Sequence, residues 1–191
     1  KFFIYIFFII AFSLVNSHAE VVKKVIIEGN ERISNETVVI YGDIELGKDY
    51  EPADVNLLIK KLYETNFFSN ISANIENNAL KIIVKENPII NKIVFDGEKA
   101  SKFKEKIKEL LSLREKASFV QNNIKADISL VKEFYKVMGF YFVKIDATVE
   151  KLTKNRVNLV YKIEKGEKAK ISKIYFLGDK KIREKKLRDV I

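Results

Sequence analysis

The residue types that carry out most enzyme chemistry are scarce in this chain. Its 191 residues include no cysteine and one histidine, His18. The sequence therefore offers neither a Ser-His or Cys-His nucleophile pair nor a set of soft metal ligands. The aspartates and glutamates do not cluster at a spacing that suggests a paired acid and base. We expect no catalytic residues, no metal site and no cofactor, so the protein is predicted not to be an enzyme.

The net charge of the chain is +9, from 35 lysine and arginine residues and 26 aspartate and glutamate residues. Nucleic-acid binding would favour arginine, whose planar guanidinium binds phosphate with two parallel hydrogen bonds. Only five of the 35 basic residues are arginine, and lysines alternate with acidic residues along most of the chain. We interpret this mixed charge as the solvated faces of helices and strands, and nucleic acid is not expected as a partner.

The N-terminal residues have the pattern of a secretory signal peptide. Residues 2–15 form an apolar run that only Ser13 interrupts, and this run is shorter than the roughly 20 residues that a membrane-spanning helix needs. The small residues Ser17 and Ala19 follow, so we expect a signal peptide over residues 1–19 with cleavage after Ala19. An uncleaved signal anchor is the alternative, and in either case the rest of the chain is exported.

A short pattern occurs three times: a lysine, three β-branched, aromatic or aliphatic residues, one variable residue and a glycine. The copies are Lys24–Gly29, Lys92–Gly97 and Lys173–Gly178. Each copy is typical of a buried strand that ends where the backbone needs the conformational freedom of glycine. Because the repeat spacing is that of small domains, the sequence predicts tandem modules rather than a solenoid.

The predicted modules cover residues 20–88 and 89–166, and residues 167–191 are expected to be the truncated start of a third. In the first module, a strand over residues 22–28 is followed by a helix that Ser34 caps and by a helix that begins at Pro52. Residues 44–49 are interpreted as a connector. The alternating apolar residues around Asn77 and Asn78 then predict a β-hairpin.

The second module repeats the order strand, helix, helix, strand, strand. Ser101 is expected to cap its first helix, and Ser118 with Gln121 has the spacing of a capping box for the second helix. Alternation on both sides of residues 153–155 predicts the hairpin. For the third module we expect a strand over residues 170–177 and a helix over residues 182–191. The helical aromatic residues are expected to lie in the cores; they are Tyr63, Phe134 and Tyr135.

Three segments resemble the POTRA family of outer-membrane β-barrel assembly factors. They are Leu62–Phe67 at a helix end, Asn87–Ala100 at a module junction, and Asn155–Leu159 at the start of a strand. The chain departs from the family at Asn66, where a glycine is usual. The resemblance implies an α+β fold of tandem POTRA modules, each with a three-stranded mixed sheet that two helices cover on one face.

The resemblance also implies a function and a location. The chain would be the periplasmic region of an outer-membrane protein in a Gram-negative-type cell, continuing into a C-terminal membrane β-barrel that lies outside this sequence. It would bind nascent outer-membrane proteins, periplasmic chaperones and the lipoprotein subunits of the assembly complex. The alternatives are a related translocation factor, such as TamA or a two-partner-secretion transporter, and an FtsQ-like division scaffold.

A strand at a sheet edge has unpaired N–H and C=O groups and can accept an extended segment of another protein as an extra strand. The resemblance implies that the first strand of each hairpin is this edge. Equally, charged residues such as Lys144 and Asp146 could mean that the edge is only solvated. The candidate residues are Asn70, Ile71, Ser72, Ala73, Asn74 and Ile75 in the first module and Phe142, Val143, Lys144, Ile145, Asp146, Ala147, Thr148 and Val149 in the second.

Overall fold

The computed structural model describes residues 20–173, together with residues 175 and 186. In the first module, a three-stranded sheet has the strand order β2-β5-β4, and a separate short ladder joins β1 to β3. β2 runs parallel to β5, and β4 runs antiparallel to it. The elements are β1 (Glu20–Val21), β2 (Lys24–Glu28), α1 (Asn35–Gly42), β3 (Asp49–Tyr50), α2 (Pro52–Glu64), β4 (Phe68–Glu76) and β5 (Ala79–Glu86).

The second module repeats this arrangement. Its sheet has the strand order β6-β8-β7, with β6 parallel and β7 antiparallel to the central β8. The α+β fold with a three-stranded mixed sheet in each module, which the resemblance implied, is confirmed. The elements are β6 (Ile89–Asp96), α3 (Ser101–Leu110), α4 (Asn123–Val137), β7 (Lys144–Leu152) and β8 (Arg156–Glu164).

Most of the local predictions for the first module are confirmed. The Ser34 hydroxyl accepts a hydrogen bond from the N–H of Thr37 at 3.2 Å and begins α1. Pro52 is the first residue of α2. Asn66 has a φ of 58°, so it takes the left-handed conformation in place of a glycine. Asn77 and Asn78 have φ values of 51° and 62°, as a type I′ hairpin turn requires.

Three local predictions were wrong in detail. The connector predicted over residues 44–49 runs into β3, which pairs with β1. Ser101 is the first residue of α3, and Ala100 is its N-cap. The capping box of Ser118 and Gln121 does not form, because α4 begins at Asn123.

Contacts with β6 explain the missing capping box. The N–H of Phe119 donates to the carbonyl of Pro88 at 2.7 Å, and the N–H of Ile90 donates to the carbonyl of Ala117 at 2.9 Å. Ser118 forms an isolated antiparallel bridge with Ile89. The backbone around Ser118 is therefore committed to the sheet, and this long-range pairing outweighs the local capping preference.

Each module has its own hydrophobic core. In the first module, Val38, Leu58 and Leu62 of the helices pack against Leu80 and Ile82 of the central strand. The second core is larger and centres on Tyr135 and Tyr161, both fully buried. No residue belongs to both cores, so the modules are separate packing units joined through Asn87 and Pro88.

The repeated glycines mark the same close approach in both modules. Gly29 and Gly97 have φ values of +87° and +86°. A Cβ at Gly29 would lie 2.1 Å from the carbonyl oxygen of Val84, and one at Gly97 would lie 2.1 Å from that of Ile163. Only glycine lets the end of each module's first long strand pass so near the central strand. The third copy, at Gly178, lies outside the described residues.

Several predictions concern residues that the structure does not describe. The signal peptide over residues 1–19 lies outside the described part, and so does the helix predicted over residues 182–191, apart from residue 186. The strand predicted over residues 170–177 is wrong for its described part, because residues 165–173 and residue 175 have no regular secondary structure. None of the helices in the described part combines the length and the apolar character that a membrane span needs.

Candidate functional site

The buried carboxylates are the first candidates for chemistry, and Glu98 is one of them. Its side chain accepts hydrogen bonds from the N–H of Ala100 at 2.8 Å, from Nζ of Lys165 at 3.2 Å and from the hydroxyl of Tyr135. Burial alone would raise the pKa of Glu98, but these hydrogen bonds outweigh it and hold the pKa below its usual value. Glu98 is thus an ionised anchor that ties three elements together.

Asp127 is fully buried on α4 and has the same kind of role. It accepts hydrogen bonds from the N–H and the hydroxyl of Ser112 at 2.7 and 2.8 Å, and from the N–H of Leu113 at 3.1 Å. The hydroxyl of Tyr161 donates to it at 3.4 Å. Both carboxylate oxygens are occupied, so Asp127 fixes the turn after α3 and is not placed to act as a base.

The two central tyrosines predict a loss of stability at alkaline pH. Burial and the neighbouring carboxylates Glu98 and Asp127 raise the pKa of Tyr135 and of Tyr161 above the usual value of about 10. Above that pH the unfolded chain releases the tyrosine protons and the folded chain keeps them. The contribution of the two tyrosines to the free energy of unfolding is therefore fully present below pH ~10. Above that pH it falls, by at most about 1.4 kcal/mol per pH unit for each tyrosine.

Urea unfolding between pH 8 and 11.5 measures this effect. We expect Tyr161→Phe to make the alkaline decline shallower than in the unaltered protein. Tyr141→Phe is the matched control, because Tyr141 is 59% exposed. Equal slopes for the two variants would contradict the prediction.

Glu86 is the third buried carboxylate and closes a loop. Its Oε1 accepts hydrogen bonds from the N–H groups of Glu31, Arg32 and Ile33 at 2.9, 2.8 and 2.7 Å. The side chain is therefore fully used as a structural anchor. Within residues 20–173, no group of three or more His, Cys, Asp or Glu side chains is placed to hold a metal ion.

The predicted binding residues lie on β4 and β7, which are edge strands of their sheets. No strand in the described part pairs with the outer side of either. Residues 70–75 lie inside β4, and residues 144–149 lie inside β7. Phe142 and Val143 lie before β7, with Phe142 in a turn, so the strand begins two residues later than expected.

Part of the β4 edge is already occupied by a side chain of its own module. The hydroxyl of Tyr63 accepts a hydrogen bond from the N–H of Ile71 at 3.0 Å. The helical spacing of Tyr63 predicted that it lies in the core, and this prediction was wrong, because Tyr63 is 40% exposed. Since amides alternate in direction along a strand, the N–H groups of Ala73 and Ile75 point outward like that of Ile71. The free part of this edge is therefore centred on residues 73–75.

The charged residues of β7 stand on the face of the sheet and not over its edge. Lys144 lies opposite Glu164 in the register, and Asp146 lies opposite Lys162. Successive side chains of a strand point to opposite faces, so these charges project from the solvated face while Ile145 is buried in the core. The backbone groups along the outer side of β7 are left uncovered by these side chains.

A groove between the two modules is a feature that the sequence did not predict. It has a volume of about 850 Å³ and is lined by residues from several separate segments of the chain. The start of β4 and the end of β7 both reach it. Residues that line it include Tyr63, Phe68 and Lys85 of the first module and Phe119, Leu152 and Arg156 of the second.

The junction beside the groove is held by hydrogen bonds to backbone carbonyls. The N–H of Ile89 donates to the carbonyl of Asn155 at 3.0 Å, and the side chain of Asn87 donates to the carbonyl of Asn66 at 2.9 Å. The side-chain amide of Asn155 donates to the carbonyl of Glu86 at 3.4 Å. No local sequence pattern could have found the groove, because the chain segments that form its walls are far apart in the sequence.

Comparison with known proteins gives matches for most of the chain. Residues 88–166 match the model of the POTRA family, described as a surface antigen variable number repeat. The chain is 30% identical over 164 residues to the outer membrane protein assembly factor BamA of Neisseria meningitidis, covering 84% of this chain and 20% of that protein. It is 24% identical over 173 residues to BamA of Neorickettsia risticii, covering 91% of this chain and 23% of that protein.

The chain thus spans about a fifth of the length of these curated relatives, which are named as assembly factors and not as enzymes. Among solved structures, it is similar to the N-terminal domain of Omp85 from Thermosynechococcus elongatus, with a TM-score of 0.52 and 14% identity. That match covers 76% of this chain and 63% of the other and supports the fold. The predicted resemblance is confirmed: residues 88–166 match the model of the POTRA family, and over most of its length the chain is similar to part of the outer membrane protein assembly factor BamA.

Proposed function

We propose that this chain is the periplasmic POTRA region of an outer-membrane β-barrel assembly factor. It binds unfolded outer-membrane proteins by adding their extended segments to the edges of β4 and β7. The modules hold the client until it folds and inserts into the membrane. Lipoprotein subunits of the assembly complex and periplasmic chaperones are the further partners of the same region.

The observation that carries this proposal is the pair of open edges. β4 and β7 are nine residues long each, and each has one side with no strand partner in the described part. Backbone hydrogen bonds to such an edge do not depend on the client's side chains. An assembly factor that must hold many different barrel precursors needs this tolerance of sequence.

The location follows from the same proposal. The signal peptide over residues 1–19 exports the chain, and cleavage after Ala19 releases the modules into the periplasm. The membrane β-barrel then belongs to the part of the protein beyond this chain. A related translocation factor, such as TamA or a two-partner-secretion transporter, would have the same modules and a different client.

Peptides with methylated backbone nitrogens test strand addition directly. A ten-residue peptide with alternating apolar and polar residues, as in a barrel strand, is titrated into the protein labelled with 15N. We expect shifts of the amide resonances of Ala73, Ile75 and the β7 residues. Methylation of every second backbone nitrogen, in the set that faces the protein, is expected to weaken binding by at least tenfold because it removes those donors.

The control is the same peptide methylated on the alternate set of nitrogens, which face away from the protein. It has equal length, composition and hydrophobicity, and it is expected to bind almost as well as the parent. If both methylated peptides bind equally, or if the shifts lie on the helices, strand addition at these edges is wrong.

A further inference from the structure

The polarity of the two edge strands at the groove between the modules has a consequence for the client. β7 runs toward this groove and ends there at Leu152, whereas β4 begins there at Phe68 and runs away from it. A segment that runs antiparallel to β4 arrives at the groove. If it continues past the groove, it runs antiparallel to β7 as well.

We infer that one extended client segment occupies both edges at once and crosses the groove with an acidic residue. This inference rests on the proposed strand addition and adds to it a single path, a direction and a charge preference. The N-terminal part of the segment pairs with β4 and the C-terminal part pairs with β7. β7 offers nine residues, which is about 30 Å of ladder at 3.3 Å per residue, and β4 offers its free part centred on residues 73–75.

The charge preference comes from the side chains that line the groove. Three of them are basic and exposed: Lys85, Lys151 and Arg156. None of the three forms a salt bridge with another described residue. The acidic residue of the lining, Glu86, is 6% exposed and is neutralised by three backbone N–H groups and by Arg32 at 3.5 Å. The groove therefore presents net positive charge to its occupant.

The groove also has an apolar component that suits an extended chain. Leu152 is 38% exposed, Tyr63 is 40% exposed, and Val149 is partly buried beside them. A segment with apolar residues at alternate positions can cover these side chains while its acidic residue meets the three cations. A compact folded partner could not follow the backbone of both edges through the same groove.

Pairing with two edges at once predicts a gain from length. When the first half of a segment is bound, the second half is held near its own edge at a high effective concentration. We expect a 22-residue peptide, with two eight-residue alternating halves and a six-residue linker that carries glutamate, to bind at least tenfold tighter than either half. The linker spans about 20 Å when extended. Binding should be one to one, with amide shifts on both β4 and β7.

Charge reversal in the groove tests the acidic preference. We expect the triple variant Lys85→Glu, Lys151→Glu, Arg156→Glu to weaken binding of the long acidic peptide at least fivefold in the full chain. The same variant should bind a peptide with lysine in the linker more tightly than the unaltered protein does. Lys132→Glu, on the exposed face of α4, is the control and should change neither affinity. Unchanged hydrogen exchange in β5 and β8 shows that the triple variant is folded.

The outcomes separate this inference from the proposed function. If the long peptide binds no tighter than its halves, or binds two to one, the single path is wrong while strand addition stands. If the triple variant does not discriminate between glutamate and lysine linkers, the acidic preference is wrong. If neither the halves nor the long peptide binds at β4 or β7, the proposed function itself is overturned.

Discussion

Replacing Gly97 by alanine is expected to destabilise the second module by about 4 kcal/mol. The new Cβ would lie 2.1 Å from the carbonyl oxygen of Ile163, and the φ of +86° is strained for any residue with a side chain. The carbonyl belongs to the central strand β8, so it cannot move without disturbing the sheet. Urea unfolding measures the total effect, and hydrogen exchange in β6 and β8 assigns it to this module.

Gly47 provides a matched control. Its φ is +84°, nearly that of Gly97, but no atom lies within 4 Å of the position that a Cβ would take. Gly47→Ala therefore isolates the backbone strain and is expected to cost about 1 kcal/mol. A similar loss for both variants would mean that the close approach to Ile163 does not decide the stability.

Replacing Asp127 by alanine is expected to destabilise the second module by about 3 kcal/mol. The substitution leaves the buried N–H of Leu113 and the buried hydroxyl of Tyr161 without the acceptor that they now share. It also releases the turn after α3, which Ser112 holds through two hydrogen bonds. The loss is measured as the shift of the urea midpoint of this module.

Two further variants show where the loss comes from. Asp146→Ala removes an exposed aspartate of β7 and is expected to change stability by less than about 0.5 kcal/mol. Asp127→Ala in a Tyr161→Phe background should cost less than in the unaltered protein, because one stranded donor is already absent. If the two backgrounds give the same loss, the hydroxyl of Tyr161 plays no part in it.

In both modules a charged residue ties the loop after the first long strand to the end of the central strand, but the two residues have opposite charges. Counted from the close approaches at Val84 and Ile163, Glu86 and Lys165 are equivalent positions at the end of the central strand. Glu86 binds the N–H groups of residues 31–33, whereas Lys165 binds Glu98 in the loop of its own module. Each pairing ties the loop after the first long strand to the end of the central strand.

Much of the fold could be predicted from the sequence, because the signals are local. The glycines after the repeated strands, the cap at Ser34, Pro52 at the start of α2 and the Asn77-Asn78 turn each act through atoms only a few residues apart. Such features depend on φ preferences and on hydrogen bonds within a turn, and they are the same whatever the rest of the chain does. The predictions of these features from the sequence alone were therefore correct.

The features that failed or were missed depend on contacts between distant segments. The capping box at Ser118 gave way to hydrogen bonds with β6, and Tyr63 lies over the N–H of Ile71 rather than in the core. The hairpin pattern alone does not tell which of its two strands joins the module's first long strand. The parallel pairing of β2 with β5 and of β6 with β8 settles this and leaves β4 and β7 at the edges.

The amino-acid sequence by itself determined the repeat and the order of the long strands and helices in each module. Composition, periodicity and turn residues are local properties of the chain and do not depend on contacts between distant segments. Only the tertiary structure decided where a partner can bind. The open edges and the basic groove between the modules arise because strand pairing and module docking bring together residues that lie up to 94 positions apart, from Tyr63 to Val157. No local pattern in the sequence predicts contacts between residues so far apart.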